Sequence, residues 1–377
     1  MPRHLKLFVT LLCATALLAT ACGSDDGATV RNLGSDTDSS SSTGSSGSAS
    51  SSAVSPADTA ETVGDGGYEY ASNVDSHRLV VSDICEIASA LDAGDWATVE
   101  SLYRDGANSV KGDGSVRTIA GFAAGEGKVH GLDTFYGTPT PLDDFITSAL
   151  DGTGEFAGEP DSVRAQAVEK GIQNQTMVAW TVHELNTALA KANDGNFDID
   201  SGAVHNWDEG WAFFHGAEPG CAPHATGNKR AGNFSTVDGN GVAFANTAIL
   251  QAMIQGRNAL LAEDATGAEI AAVEAIRNIA ITYSQATIRY AHLAVADVAA
   301  GEAAAAREHQ VEGYAFWRVA ESILVGAGAD GDTINNILAP SSPAGANGGS
   351  AEIRAALAPA WDALGITEAE IGRLESE

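Results

Sequence analysis

Cysteine is scarce in this chain, and its scarcity excludes several kinds of site. Only four of the 377 residues are cysteines, and no two of them form a CxxC pair. Thiol redox catalysis and zinc knuckles depend on such pairs, so neither is indicated. The nucleophile motif GxSxG and the Walker A motif are missing as well. VHELNT begins like the helix of a zinc protease, but Thr187 stands where HExxH needs its second histidine.

Basic residues are also few. The chain has 20 lysines and arginines against 50 aspartates and glutamates, which gives a formal net charge of −30. A surface of this sign opposes binding to nucleic acid or to anionic lipid through a basic face. It is compatible with an acidic secreted protein whose field attracts cations.

The N-terminus has the pattern of an export signal. Arg3 and Lys6 precede an apolar run, Leu7–Leu18, that is too short for a membrane-spanning helix. The run leads into LLATAC, which resembles the lipobox of bacterial lipoproteins. We therefore predict a lipoprotein signal peptide at residues 1–21, a lipidated Cys22 and an extracytoplasmic mature chain. Ordinary secretion with cleavage nearby is the alternative.

Residues 22–60 are rich in serine and glycine and have almost nothing apolar to bury, which predicts a disordered tether. The helical domain is predicted to span residues 61–377. It contains Cys85 and Cys221, which can form one disulfide outside the cytoplasm. Two separate buried thiols are the alternative.

The domain is predicted to be all-α. VVSDICEIASALDAG and DWATVESLYRDG have apolar residues three and four apart and end in glycine. The proline-free pattern that starts at Gly267 indicates one long helix or two consecutive ones. Residues 131–160 indicate loops with one short helix at Asp143–Leu150, and the last helix is predicted to be interrupted at Pro359.

One unusual phrase occurs twice. HNWDEGWAFFHG begins at His205, and HQVEGYAFWR begins at His309. Each follows a helical segment with its own histidine, His183 in the first case and His292 in the second. We predict a helical bundle built from two degenerate repeats of helix hairpins, at about 75–220 and 240–325, with long loops in the first half.

The repeated phrase places a glutamate on the apolar face of each helix, at Glu209 and Glu312. A buried carboxylate is costly unless it is paired, hydrogen-bonded or bound to a metal. Imidazole and carboxylate ligands without thiolate suit iron, manganese or zinc. The predicted metal ligands are His183, Glu209, His292, Glu312, His205 and His309.

A structural role for the two glutamates is the alternative, with each paired to an arginine such as Arg257, Arg289 or Arg318. The histidines outside the two repeated units lie near predicted loops or helix ends, and most of them are expected to be exposed. They are His77, His130, His215 and His224.

RDGANSVKGDGSVRTIAGFA, WDEGWAFFHG and NKRAGNFSTVDG resemble the low-iron-inducible periplasmic proteins, the algal iron-assimilation or phytotransferrin-like family. The resemblance covers roughly residues 75–325. It implies an extracytoplasmic protein that captures ferric iron (Fe³⁺). It is also compatible with a synergistic anion, such as carbonate, that binds together with the iron. The family pattern carries over to Asp208, Glu209 and Asn228–Phe234. The lipobox and the serine-rich tether depart from the algal members and indicate a bacterial relative.

The leading hypothesis is a lipid-anchored, non-enzymatic iron-binding protein that passes its ion to a membrane iron transporter. One alternative is a metallohydrolase similar to the imelysin-type lipoproteins, whose HxxE phrase is matched by His309–Glu312. The other is a metal-free interaction lipoprotein. The membrane is expected as a partner only through the lipid anchor, and no nucleic acid partner is expected.

Overall fold

The structure is a computed structural model that describes residues 30–32, 64–125, 128 and 131–376. The predicted signal peptide, Cys22, His130 and nearly all of the predicted tether lie outside these residues. The described part is helical with very little strand, which confirms the all-α prediction.

The helices are joined by connections that range from a single residue to more than ten residues. Their bounds are α1 Asp75–Arg78, α2 Val80–Asp92, α3 Trp96–Asp105, α4 Ile119–Ala124, α5 Leu132–Tyr136, α6 Pro141–Asp151, α7 Asp161–Lys170, α8 Met177–Asn193, α9 Ala203–Phe214, α10 Pro223–Asn233, α11 Phe244–Leu261, α12 Ala265–Ala300, α13 Ala303–Gly326, α14 Gly331–Leu338, α15 Ser350–Leu364 and α16 Glu368–Ile371. A π-helical stretch, Gly171–Thr176, joins α7 to α8, and short 3₁₀ turns lie at Gly154–Phe156 and Pro219–Cys221.

In the described ranges, the strands form two small antiparallel pairs. Strand β1 (Val30–Asn32) pairs with β4 (Ser115–Arg117), and β2 (Gly64–Asp65) pairs with β3 (Tyr68–Glu69). β1 falls within the segment predicted to be a tether. The β2–β3 hairpin leads directly into α1 and places the segment before α1 against α9.

The long proline-free pattern forms the single helix α12, which is 36 residues long. Asp264 caps its first turn by accepting from the N–H of Gly267, and Gly301 ends it in the left-handed region at φ 82°. The predicted interruption at Pro359 is wrong, because α15 runs through it from Ser350 to Leu364. Apolar side chains on both sides of the proline are buried, and this burial outweighs the hydrogen bond that proline removes.

Among the residues that the structure describes, the buried hydrophobic side chains form two clusters, and α9 contributes to both. Trp207 and Trp211 belong to the cluster around α11, α12 and α15. Phe213 belongs to the cluster around α2, α4, α6 and α7. Because apolar packing surrounds α9, the polar side chains of its central turns are buried as well.

The glycine after each repeated glutamate lies where two helices approach closely. A Cβ on Gly210 would lie 3.4 Å from Cδ2 of Leu185 in α8, and a Cβ on Gly313 would lie 2.9 Å from Cβ of Tyr290 in α12. The phrase therefore occurs in two helix hairpins, α8–α9 and α12–α13. Their origin by duplication stays a prediction.

Candidate functional site

Two histidine side chains converge on one carboxylate oxygen, Oε1 of Glu209. Nε2 of His77 lies 3.1 Å from this oxygen, and Nε2 of His205 lies 3.0 Å from it. Glu209 is only 2 % exposed and His77 is 5 % exposed. His205 precedes Glu209 by one turn on α9, whereas His77 comes from α1. The site therefore depends on tertiary packing as well as on the local phrase.

Asp208, the neighbour of Glu209, fastens the segment before α1 to α9. This fully buried carboxylate accepts from the Tyr68 hydroxyl at 2.6 Å and from the Ala71 N–H at 2.9 Å. It also accepts from the N–H and hydroxyl of Ser72, at 2.7 and 2.8 Å. Burial raises the pKa of Asp208, and these hydrogen bonds oppose the rise. The bonds bring α1 and its His77 to the site.

Ser72 also orients His205. Its Oγ lies 3.0 Å from Nδ1 of His205. Since the Ser72 hydroxyl hydrogen is donated to Asp208, the oxygen accepts the Nδ1–H of the imidazole. Nε2 is then the nitrogen that faces Glu209. In metal sites, a hydrogen bond to the ring nitrogen that does not bind the metal fixes the tautomer of the histidine in this way.

A second buried carboxylate, Glu184, lies beside the first. The amide of Asn206 donates to Oε2 of Glu184 at 2.6 Å and to Oε2 of Glu209 at 3.3 Å. Glu184 and Asn206 are each 1 % exposed. The amide therefore bridges two carboxylates in a region closed to solvent.

The distances fit a metal-binding cluster and also fit hydrogen bonds. With bonds of about 2.1 Å to a shared ion, neighbouring ligand atoms lie roughly 3.0–3.4 Å apart. The two Nε2–Oε1 distances agree with the short end of that range. As placed, His77 with its hydrogen on Nε2 donates directly to the carboxylate, whereas His205 with its hydrogen on Nδ1 turns the lone pair of Nε2 toward it. Within the ranges described, no group of three or more His, Cys, Asp or Glu side chains is placed so that it could hold a metal ion.

The six predicted ligands are distributed over several places. His205 and Glu209 meet as described, and His183 on α8 packs against the ring of Trp180 at a centroid distance of 5.0 Å. The second glutamate, Glu312, is also buried, at 9 % exposure, but its surroundings are different. Nζ of Lys170 lies 3.6 Å from Oε1 of Glu312.

The remaining two predicted ligands lie on the second hairpin. Nδ1 of His309 lies 2.5 Å from Oδ2 of Asp297, and the His309 ring is 5.8 Å from that of Tyr290. Burial, together with the nearby charge of Glu312, raises the pKa of Tyr290. His292 is half-buried on α12. Glu312 thus lies beside Lys170 of α7 and near Tyr290 of α12, whereas Glu209 lies beside two histidines.

Two histidines expected at the surface are buried, and one of them is in the site. His77 is 5 % exposed and His215 is 6 % exposed. The signal for His77 is its spacing, because it precedes Val80, Val81 and Ile84 on the buried face of α1 and α2. The sequence signal for Glu184 is its place in VHELNT, directly after His183. Ser72 precedes the first helix, and no sequence pattern marks it.

Cys85 and Cys221, the predicted pair, are joined by a disulfide with a Cα–Cα distance of 5.3 Å. It links α2 to the 3₁₀ turn before α10. No helix in the described part of the chain is both long enough and apolar enough to cross a membrane.

The family profile described as low iron-inducible periplasmic protein matches residues 44–377 of the chain. This match covers nearly the whole sequence and includes every residue of the site. No curated protein and no solved structure matches the chain.

Proposed function

Because the chain belongs to the family of low iron-inducible periplasmic proteins, we propose that it binds iron outside the cytoplasm at Glu209, His77 and His205. The observation that carries the proposal is the convergence of two imidazoles on one buried carboxylate oxygen. In this assignment iron is the cargo of the protein, and the chain is not an enzyme.

The chemistry of the donor set supports iron. Carboxylate oxygen is a hard ligand, imidazole nitrogen suits iron, and no thiolate is within the set to favour copper(I). Glu184 supplies a second carboxylate, held close by the Asn206 amide. Two carboxylates would offset two of the three charges of a ferric ion. His183, adjacent to Glu184 in the chain, is retained as a further ligand in the proposal.

The three predicted ligands of the second hairpin, His292, Glu312 and His309, are assigned no metal. A cation bound at Glu312 would meet the positive charge of Lys170, which lies 3.6 Å from the carboxylate. His309 is already engaged with Asp297. The repeated phrase therefore supplies one iron site in this assignment.

The proposal extends to how iron is captured and delivered. The lipidated Cys22 would hold the protein at the membrane, and the serine-rich tether would let it approach a membrane iron transporter. The captured ion is ferric, with carbonate as the synergistic anion. The family description supports an iron-related role outside the cytoplasm, and the lipobox in the sequence supports the lipid anchor.

Titration of the metal-free protein with ferric iron, in competition with a chelator, tests the proposal. Glu209→Gln removes the shared carboxylate, so we expect a loss of affinity of about 100-fold or more. Glu312→Gln is the matched control, because it changes the equivalent buried glutamate of the second hairpin. Equal affinity of Glu209→Gln and wild type, or selective loss in Glu312→Gln, would contradict the assignment. Ferrous iron, titrated in parallel, tests the oxidation state.

A further inference from the structure

Arg230 is a buried cation whose donors are not all used. It lies on α10 within the sequence NKRAGNF and is 8 % exposed. Across the residues that the structure describes, its Nε and Nη1 have no hydrogen-bond partner. The guanidinium lies 5.2 Å from the ring centroid of Tyr290 and 5.9 Å from that of Phe316. A buried charge with unused donors is unfavourable unless an acceptor reaches it.

A second arginine lies at the same tyrosine. The guanidinium of Arg289, which is half-buried on α12, is 4.9 Å from the ring centroid of Tyr290. Burial lowers the pKa of Arg289, and the charge of Arg230 adds to this lowering. Two like charges near one ring repel each other, so a negative group close to both would be stabilising.

The nearby carboxylates are already engaged. Glu312 faces Lys170 at 3.6 Å. Burial and the charge of Glu312 raise the pKa of Tyr290, and the same charge opposes the lowering of the pKa of Arg289. Asp297 is paired with His309 at 2.5 Å. Lys170 is itself paired with Glu169 at 2.8 Å. These carboxylates therefore have partners of their own, and the donors of Arg230 remain available.

We propose that Arg230 and Arg289 form a binding site for a small oxyanion. The planar, forked guanidinium matches the oxygen atoms of carbonate, phosphate or a carboxylate. The rings of Tyr290 and Phe316 hold the Arg230 guanidinium in place, so little side-chain freedom is lost when the anion binds. The site contains none of the proposed iron ligands, and it can be tested without iron.

Thermal unfolding of the metal-free protein, followed with increasing phosphate, bicarbonate or acetate, tests this proposal. Sodium chloride keeps the ionic strength constant. We expect at least one oxyanion to raise the melting temperature of the wild type in a saturable way, and the three arms identify the preferred anion. In Arg230→Gln the half-saturating concentration should rise at least tenfold. Arg104→Gln is the control, because Arg104 is exposed and pairs with Glu100, one turn away within α3.

Arg230→Gln should be as stable as the wild type, or more stable, when no oxyanion is present, since it removes an uncompensated buried charge. A purely structural arginine would instead lose stability in every buffer. Should Arg230→Gln fail to fold by circular dichroism, the half-buried Arg289→Gln replaces it with the same expected loss of response. Equal responses of wild type and folded variant, or no response beyond that of chloride, would overturn the proposal.

Discussion

Ser72 tests whether the site depends on support from outside the repeated phrase. Its hydroxyl donates to Asp208 at 2.8 Å and lies 3.0 Å from Nδ1 of His205. Ser72→Ala removes the acceptor that fixes the imidazole. Loss of such an outer partner weakens metal binding by about 10–100-fold, which corresponds to about 1.4–2.7 kcal/mol. The free energy of unfolding should fall by only about 1 kcal/mol, because Asp208 keeps three other hydrogen bonds.

The assay is chelator competition for ferric iron, with urea unfolding of the metal-free protein measured in parallel. Ser82→Ala is a matched control, since Ser72 and Ser82 are both 8 % exposed. Ser82 also donates to a carboxylate, that of Glu218 at 2.6 Å. If both variants bind iron as tightly as the wild type, the orienting role assigned to Ser72 is refuted.

Two further predictions concern stability. Burial, helped by the charge of His215, lowers the pKa of His224 to about 4 from an ordinary 6.5. At pH values between 4 and 6.5, the unfolded chain therefore binds a proton at His224 that the native chain does not bind. The free energy of unfolding falls by about 2–3 kcal/mol as the pH drops from 6.5 to 4. The free energy of unfolding, measured with urea at pH 7.5 and at pH 5.0, should differ less between the two pH values in His224→Asn than in the wild type. An unchanged difference would contradict this prediction. Separately, a Cβ on Gly256 would overlap the ring of Trp207, so Gly256→Ala should cost about 1–3 kcal/mol. Gly326→Ala, where a Cβ meets no atom within 4 Å, should be neutral or stabilising, and equal melting temperatures of the two variants would refute the packing argument.

The helical fold was predictable because its signals are local. Apolar spacing gave α2, α3 and α12, and the same spacing placed Glu209 and Glu312 on buried faces. The prediction at Pro359 was wrong because a proline indicates only the local cost of a lost helical hydrogen bond. The burial that keeps α15 continuous comes from contacts with distant parts of the chain.

The residues of the site were only partly predictable, because some of them are brought together by contacts between distant parts of the chain. His205 and Glu209 are one helical turn apart, so periodicity alone brings them together. His77 and Ser72 reach them across more than a hundred residues, through hydrogen bonds to Asp208 that no short pattern encodes. Glu312 has the same position in its copy of the repeated phrase as Glu209 has in the first copy. Residues from other helices, however, determine what surrounds each glutamate.

Anomalous diffraction at the iron edge, from crystals of the iron-loaded protein, tests the central assignment most directly. We predict one strong peak within bonding distance, about 2.0–2.2 Å, of Oε1 of Glu209 and of Nε2 of His77 and His205. A peak at Glu312, or no ordered iron in crystals of protein that binds it in solution, would contradict the account.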